Sequence, residues 1–282
     1  MGTELLAVLC GLAAGISWGA GDFGGGLASK RTNVFMVIIL SQMVGVGLLL
    51  TLALGFGEPA PTSTSLLWGG VAGVFGMTGL AALYLGLARG RMSAVAPVTA
   101  AVAAALPVFV GLLLEGWPSP WQMAGFVAAL AAVWLLAQDG DDLRAQIDIK
   151  ELYLPLIAGL GFGLFFILID QASRDAVYWP LLMARLSSVG LLTLLVLVRR
   201  EWRIPPRSQF PLLILVGIFE TGGNAFFALA TQIGRLDISA VLASLYPATT
   251  VLLAAVVLKE KVGRPQKVGI VATLVALVLI AA

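Results

Sequence analysis

Long apolar runs, separated by short polar segments, extend along almost the whole chain. A helix needs roughly 20 apolar residues to cross the hydrocarbon core of a bilayer. Runs of this kind lie at residues 4–27, 34–56, 66–88, 92–114, 120–138, 152–171, 178–198, 210–231, 237–258 and 265–282. The pattern therefore predicts ten transmembrane helices joined by short loops.

The composition supports a protein whose surface faces lipid. The 282 residues are 60% hydrophobic and only 11% charged, and the mean hydropathy is +1.00. A soluble domain has about 25% charged residues, so this chain has too little charge to cover a water-exposed surface. We expect an all-α integral membrane protein with the lipid bilayer as its surroundings.

The second half of the chain repeats the first half. One constant shift aligns Gly90-Arg91 with Gly234-Arg235 and Gly125 with Gly269, and a slightly larger shift aligns Asp22 with Asp170. Five spans per half is an odd number, so the two halves would have opposite orientations in the membrane. We predict two inverted five-helix repeats around a central cavity. The first repeat would cover residues 1–138 and the second residues 152–282, with a charged linker at 139–151.

Small residues recur at helical spacing within several spans. Glycines lie four residues apart at positions 11, 15 and 19, at positions 69 and 73, and at positions 159 and 163. In lipid such rows let two helix backbones approach closely. They predict tight helix–helix packing, with a geometry that also suits helices which slide during a transport cycle.

Basic residues predict the orientation in the membrane. The loops after the odd-numbered spans carry 14 Lys and Arg residues, and the opposite face carries two, Arg174 and Arg235. Because positive loops stay in the cytoplasm, we predict a multi-pass protein of the cell (inner) membrane with both termini outside the cytoplasm. The net charge of +2 gives no reason to expect a nucleic-acid partner.

Two charged residues lie at membrane depth. A charge near the centre of a span costs about 2.5–3.5 kcal/mol and usually faces the bundle interior. Glu220 lies midway along the eighth predicted span, and Arg185 lies within the seventh. Two interpretations stay open, and they do not exclude each other. Glu220 binds a proton or a cationic amine while Arg185 binds a carboxylate, or the two side chains form a structural ion pair.

Asp22 and Asp170 occupy matching places at the ends of the first and sixth predicted spans. They are candidates for a gate or, with Glu220, for proton coupling, and solvation of the helix ends is the alternative. The chain has no histidine, which removes the commonest proton-transfer side chain. A coupled proton would therefore be carried by one of these carboxyl groups.

Aromatic and amide side chains supply the rest of a small-molecule pocket. Such pockets are mostly apolar and aromatic, with a few polar groups that fix the orientation of the ligand. Trp18 and Phe166 occupy similar places in the two halves, and Asn224 follows Glu220 by one helical turn. The predicted solute-binding residues are Trp18, Tyr84, Phe166, Arg185, Glu220, Asn224 and Tyr246.

The sequence offers no enzymatic motif. Residues 19–24 read Gly-Ala-Gly-Asp-Phe-Gly and match a dinucleotide fingerprint, but that motif has meaning only between a strand and a helix of a βαβ unit. Here it ends a membrane span. We expect no catalytic residue, no metal site and no cofactor, and we do not expect an enzyme.

The ordered set of elements resembles the drug/metabolite transporter superfamily in its ten-helix EamA-type form. Residues 14–19 form the small-residue and tryptophan run Ala-Gly-Ile-Ser-Trp-Gly, and Tyr246-Pro247 is followed by Leu258-Lys259-Glu260 and by Pro265-Gln266-Lys267-Val268-Gly269. The resemblance covers essentially the whole chain. It implies a basket of helices with alternating access whose cargo is a small metabolite, often an amino acid moved outward.

These observations predict a secondary transporter that exports a small organic metabolite, an amino acid or related solute, as a monomer or homodimer. Two alternatives stay open. A broad-specificity drug exporter would use Glu220 to bind lipophilic cations, whereas a non-transporting membrane partner protein would carry no solute.

Overall fold

The computed structural model describes residues 2–89, 92–136, 138, 149–259 and 262–281. Within these residues the chain forms α-helices and one short 3-10 helix, Arg207–Gln209, and no strand. The α-helices are α1 Gly2–Ser29, α2 Val34–Gly55, α3 Ser63–Arg89, α4 Met92–Leu114, α5 Pro120–Leu136, α6 Ile149–Ala172, α7 Tyr178–Arg199, α8 Phe210–Ile233, α9 Leu236–Ala243, α10 Tyr246–Val257 and α11 Arg264–Ala281. The all-helical fold class is therefore as predicted.

Seven segments of the described chain are helical, long enough and apolar enough to cross a membrane. They are Gly2–Ser29, Val34–Gly55, Ser63–Ala88, Tyr153–Ala172, Tyr178–Arg199, Arg207–Ile233 and Leu236–Val257. Val98–Leu114 and Pro120–Leu136 are apolar but shorter. The protein is thus a multi-pass membrane protein, and the number of ten spans stays a prediction. Most of the predicted linker 139–151 lies outside the described residues, and α6 begins at Ile149 within it.

The ninth predicted span consists of two helices. α9 ends at Ala243 and α10 begins at Tyr246, with Pro247 in its first turn. Proline has no backbone N–H and its ring clashes with the preceding helical turn, so it starts a helix more readily than it continues one. The break between α9 and α10 lies beside α1, and both of these helices contact α1.

The most extensive helix packing joins the first half of the chain to the second. α1 packs along α8, α3 along α6, and α5 along α11. Glycines of the repeated rows also allow close contacts between the halves, of α1 with α9 and of α6 with α4. A methyl group at Gly15 would lie 3.1 Å from the carbonyl oxygens of Leu242 and Ala243, and one at Gly163 would lie 3.1 Å from that of Ala103. The two halves therefore form one interlocked bundle.

Glu58 ties the loop after α2 to the start of α7. Its carboxylate oxygens accept hydrogen bonds from the backbone N–H groups of Val177 (2.6 Å), Tyr178 (2.9 Å) and Trp179 (3.0 Å). These N–H groups have no partner within the helix, and a negative charge at a helix N-terminus is favourable. The contact connects the two halves of the chain at this end of the bundle.

A second polar contact joins the loop after α4 to the loop after α8. The Arg235 guanidinium donates from Nη1 to the carbonyl oxygen of Glu115 (3.1 Å) and from Nη2 to that of Gly116 (2.6 Å). It also holds both oxygens of the buried Asp237 carboxylate, with Nε–Oδ1 at 3.0 Å and Nη2–Oδ2 at 2.8 Å. The backbone N–H of Leu236 donates to Glu115 Oε1 (3.2 Å). We call the end of the bundle that carries these two contacts the even-loop end.

Glu115 is expected to make the stability of the folded protein depend on pH. Partial burial raises the pKa of the Glu115 carboxyl above its ordinary value of 4.5, so the folded protein holds this proton more firmly than the unfolded chain does. The contribution is present below that ordinary value and is lost as pH rises through the raised pKa of the folded protein. In detergent, the unfolding midpoint of Glu115→Gln should fall less over this window than that of the parent protein. Parallel pH profiles for the two proteins would contradict the assignment.

Candidate functional site

A cavity lies between helices of the two halves. Six of the seven predicted solute-binding residues line it, namely Trp18, Phe166, Arg185, Glu220, Asn224 and Tyr246. Asp22 also lines the cavity. Tyr84 does not, and it lies directly behind Glu220. The residues come from α1, α6, α7, α8 and α10, so the cavity requires both halves of the chain.

Stacked aromatic rings form one wall of the cavity. The rings of Trp18 and Phe166 are nearly parallel, at 13°, with centroids 5.2 Å apart, and Phe227 packs behind Phe166 at 4.6 Å. The Trp18 indole Nε1 donates a hydrogen bond to Asn224 Oδ1 (2.9 Å). Because a side chain at Gly223 would collide with the indole, this glycine lets Trp18 lie against α8. The wall is held rigidly by stacking and by one buried hydrogen bond.

Two acidic side chains, one from α1 and one from α8, also line the cavity. Asp22 and Glu220 are only 4% and 7% exposed, and their carboxyl groups lie within hydrogen-bonding reach of each other. The Tyr84 hydroxyl donates to Glu220 Oε1 (3.3 Å). A methyl group at Gly21 would lie 2.5 Å from Glu220 Oε1, and one at Gly25 would collide with the Tyr84 ring. These glycines of α1 make room for polar side chains rather than for a helix backbone.

Arg185 is the buried basic residue of the cavity. It is 5% exposed, and its Nε and Nη2 have no hydrogen-bond partner. Its neighbour in the cavity, the Glu220 carboxylate, lies beyond ion-pair distance of the guanidinium, unlike the carboxylates of Glu115 and Asp237, which pair with Arg235. The structural Arg185–Glu220 ion pair that the sequence left open is therefore not formed in this structure.

The two remaining predicted site residues lie in different surroundings. Tyr246 lines the cavity, and its hydroxyl donates to the carbonyl oxygen of Ala96 on α4 (3.0 Å). Asp170 is not among the lining residues, and its Oδ2 accepts a hydrogen bond from the Gln171 amide (3.3 Å). Asp22 and Asp170 are related by the sequence repeat, yet only Asp22 reaches the cavity.

Several lining residues were not among the predicted ones, chiefly Gln42 and Ser188. Gln42 is a buried amide on α2 whose Oε1 has no hydrogen-bond partner. Its position as a single amide inside a long apolar run is the same kind of signal that marked Glu220. Ser188 donates to the carbonyl oxygen of Gly73 on α3 (2.8 Å), and nothing in the sequence distinguishes it from other serines.

The cavity carries polar groups suited to binding a charged organic molecule. Over the described residues, no group of three or more His, Cys, Asp or Glu side chains could hold a metal ion. What the cavity does combine is an aromatic wall, two carboxyl groups and one guanidinium. Such a site can bind an organic molecule that carries charge.

A multi-pass helical protein with two related halves and a charged cavity between them belongs to the class of solute transporters built from internal repeats. The sequence model of the EamA-like transporter family matches residues 5–138 and again residues 149–282. The chain therefore belongs to the EamA-like transporter family, within the drug/metabolite transporter superfamily. Members of this family are transporters and not enzymes.

A known three-dimensional structure agrees with this fold. A solved chain described as "Crystal structure of protein" is similar with a TM-score of 0.76 and 16% sequence identity, over 97% of this chain and 95% of that chain. At this level of identity the similarity shows the fold alone. No curated protein matches the chain in sequence.

Proposed function

We propose that the protein is a secondary transporter that exports a small organic metabolite, an amino acid or a related solute, from the cytoplasm. Two inverted five-helix repeats would rock around a central site and expose it alternately to the two sides of the membrane. The observation that carries this proposal is the cavity between the halves, which holds carboxyl groups and a guanidinium beside an aromatic wall.

Charges of both signs favour an amino acid over a simple cation. The Asp22–Glu220 pair would bind an ammonium group, and Trp18 with Phe166 would contact the apolar part of the solute. A hydrogen bond between two carboxyl groups needs a proton on one of them. Binding of the ammonium group would release that proton, which makes protons the candidate coupling ion.

The remaining features of the proposal concern location and assembly. The protein would lie in the cell (inner) membrane with ten spans and both termini outside the cytoplasm, as the loop charges predict. The protein would act as a monomer or as a homodimer. Asp170, near the even-loop end of α6, stays our candidate for a gate residue.

The second candidate function is export of lipophilic cations. The aromatic wall and the acid pair would bind such cations through stacking and charge attraction. This function leaves the buried Arg185 cation in the same cavity without a role, and a positive charge there repels a cationic solute. For this reason the amino acid is the better proposal.

The proposal is tested by counterflow in proteoliposomes. Vesicles with the purified protein are preloaded with a pool of amino acids and challenged with labelled amino acids, with protein-free vesicles as the control. Accumulation of at least one labelled amino acid supports the proposal. Accumulation of labelled aromatic cations without any amino acid supports the second candidate, and folded protein that accumulates neither class contradicts both.

A further inference from the structure

The strongest unexplained feature of the cavity is the unsatisfied edge of the Arg185 guanidinium. Nε and Nη2 both lack an acceptor although the side chain is 5% exposed. Buried charged donors are almost always paired because an unpaired one loses its hydration without compensation. The protein thus maintains a cation whose hydrogen bonds are not completed by its own side chains.

The same edge of another arginine in this structure binds a carboxylate. Arg235 uses Nε and Nη2 to hold Oδ1 and Oδ2 of Asp237 at 3.0 and 2.8 Å. This side-on arrangement has two parallel N–H···O bonds and matches the spacing of the two oxygens of a carboxylate. Arg185 lines the cavity, and its own Nε and Nη2 donors have no partner from the protein.

Two other polar groups without partners lie on helices that contact α7, the helix that carries Arg185. The Thr221 hydroxyl on α8 and the Gln42 Oε1 on α2 are buried and make no hydrogen bond. Gly45 of α2 faces the first of these groups and the arginine together. A methyl group there would collide with the Thr221 hydroxyl and would lie 3.5 Å from Arg185 Nε. A hydroxyl can donate to an anion, and so can an amide whose oxygen and nitrogen are exchanged.

The acidic residue closest to Arg185 along the cavity is already engaged. Glu220 accepts the Tyr84 hydroxyl and lies within hydrogen-bonding reach of Asp22. It provides a negative field for Arg185 but does not bond to its Nε–Nη2 edge. The acceptor that suits this edge is therefore an anion that enters the cavity.

We infer that Arg185, with Thr221 and Gln42, forms a carboxylate subsite that binds the acid group of the transported solute. This inference rests on the proposed function and deepens it. Bound in this way, an amino acid directs its carboxylate to α7 and its ammonium group to Asp22 and Glu220, with its side chain along the aromatic wall. The transporter then requires the carboxylate, and the amine obtained by decarboxylation is a poor ligand.

The inference is tested by ligand binding to purified protein in detergent, with three probe pools. The first pool contains the amino acids, the second the corresponding decarboxylated amines, and the third the corresponding deaminated acids. Binding is measured as the shift in unfolding midpoint over a concentration series. The variants are Arg185→Gln, Arg185→Lys and Thr221→Val, and Arg174→Gln serves as the control because this arginine is exposed and does not line the cavity.

The parent protein is expected to bind the amino acids and the deaminated acids, and to bind the amines more weakly. Arg185→Gln should weaken binding of both carboxylate pools by at least ~30-fold, as expected for loss of charge-assisted bonds, and should not weaken binding of the amines. Arg185→Lys keeps the positive charge but lacks the paired N–H donors. Its affinity for the carboxylate pools should therefore lie between those of Arg185→Gln and the parent protein. Arg174→Gln should bind like the parent protein.

Three results would overturn the carboxylate subsite. One is that Arg185→Gln or Arg185→Lys, with the same ligand-free unfolding midpoint as the parent protein, binds all three pools more weakly by the same factor. Another is unchanged carboxylate binding in these variants, or no binding of either carboxylate pool to the parent protein. The third is a rise in the unfolding midpoint of the parent protein with inorganic phosphate but not with either carboxylate pool. Arg185-dependent carboxylate binding without any flux in vesicles would instead contradict only the transport function, and flux that is insensitive to Arg185 would contradict only the subsite.

Discussion

Replacing Asp22 by asparagine is expected to reduce amino-acid counterflow by about 10–100-fold. Asp22 lines the cavity and reaches the Glu220 carboxyl, so the change removes a charged group from the ammonium side of the site. Hydrogen bonds to charged groups contribute about 1.5–3 kcal/mol, and each 1.4 kcal/mol is about a factor of ten. Asparagine has nearly the same shape, so the fold should persist. Initial rates at equal amounts of reconstituted protein measure the effect.

Asp170→Asn is the matched control for this experiment. Asp170 corresponds to Asp22 in the sequence repeat, but it does not line the cavity. We expect its substitution to change counterflow far less than that of Asp22. Equal losses of counterflow in the two variants would indicate that Asp22 and Asp170 have equivalent roles as gates in the two repeats. That result would contradict the assignment of Asp22 to the solute site.

Gly73→Ala is expected to destabilise the protein by about 2–3 kcal/mol, at the upper end of the cost of overpacking. A methyl group at Gly73 would collide with the backbone carbonyl oxygen of Ala184 and with the Ser187 hydroxyl. A backbone atom in the middle of α7 cannot move without displacing the whole helix. The change should therefore separate α3 from α7 and disturb Arg185, which follows Ala184. Equilibrium unfolding in mixed micelles gives the free energy of unfolding.

Gly70→Ala provides the control on the same helix. A methyl group at Gly70 would have Met183 Cγ as its nearest neighbour, at 3.8 Å, which is ordinary contact with a flexible side chain. Alanine favours a helix over glycine by up to about 1 kcal/mol, so this variant should be as stable as the parent or more stable. If both substitutions cost the same free energy, close packing of α3 against α7 is not the cause.

The position of Glu220 shows how far a residue pattern can predict a site. A charged carboxyl group in the middle of an apolar span has a high free-energy cost in lipid. Its depth in the span was therefore enough to predict that Glu220 faces the bundle interior. The pattern did not reveal its partners. Tyr84 and Asp22 are far from it in sequence, and they meet it where Gly21 leaves room for the Glu220 carboxyl and Gly25 leaves room for the Tyr84 ring.

Arg185 illustrates an alternative that residue types could not resolve. A basic and an acidic residue on neighbouring spans are compatible with an ion pair and with a solute site, since both arrangements need the same side chains. Whether the ion pair forms depends on distances of a few ångströms between α7 and α8. The structure leaves Nε and Nη2 of Arg185 without hydrogen-bond partners. The proposed carboxylate subsite rests on this observation.

The repeat related Asp22 to Asp170 and suggested similar roles for them. In the structure the two halves do not place them alike, because only Asp22 lies at the cavity. Sequence duplication preserves residue types, whereas each half packs against different neighbours. Gln42 is the opposite case: a site residue with a usable signal, a single amide within an apolar run, that was not among the predicted ones.

The sequence by itself determined that this protein is helical, embedded in a membrane, built from two related halves and similar to EamA-type transporters. Those properties follow from hydrophobic length, charge content and repeated motifs, which are local along the chain. The tertiary structure alone decided which side chains meet: Trp18 meets Asn224 and Glu220 meets Tyr84, while Nε and Nη2 of Arg185 are left without a hydrogen-bond partner. Such contacts join residues far apart in sequence, and they depend on helix packing that no local pattern encodes.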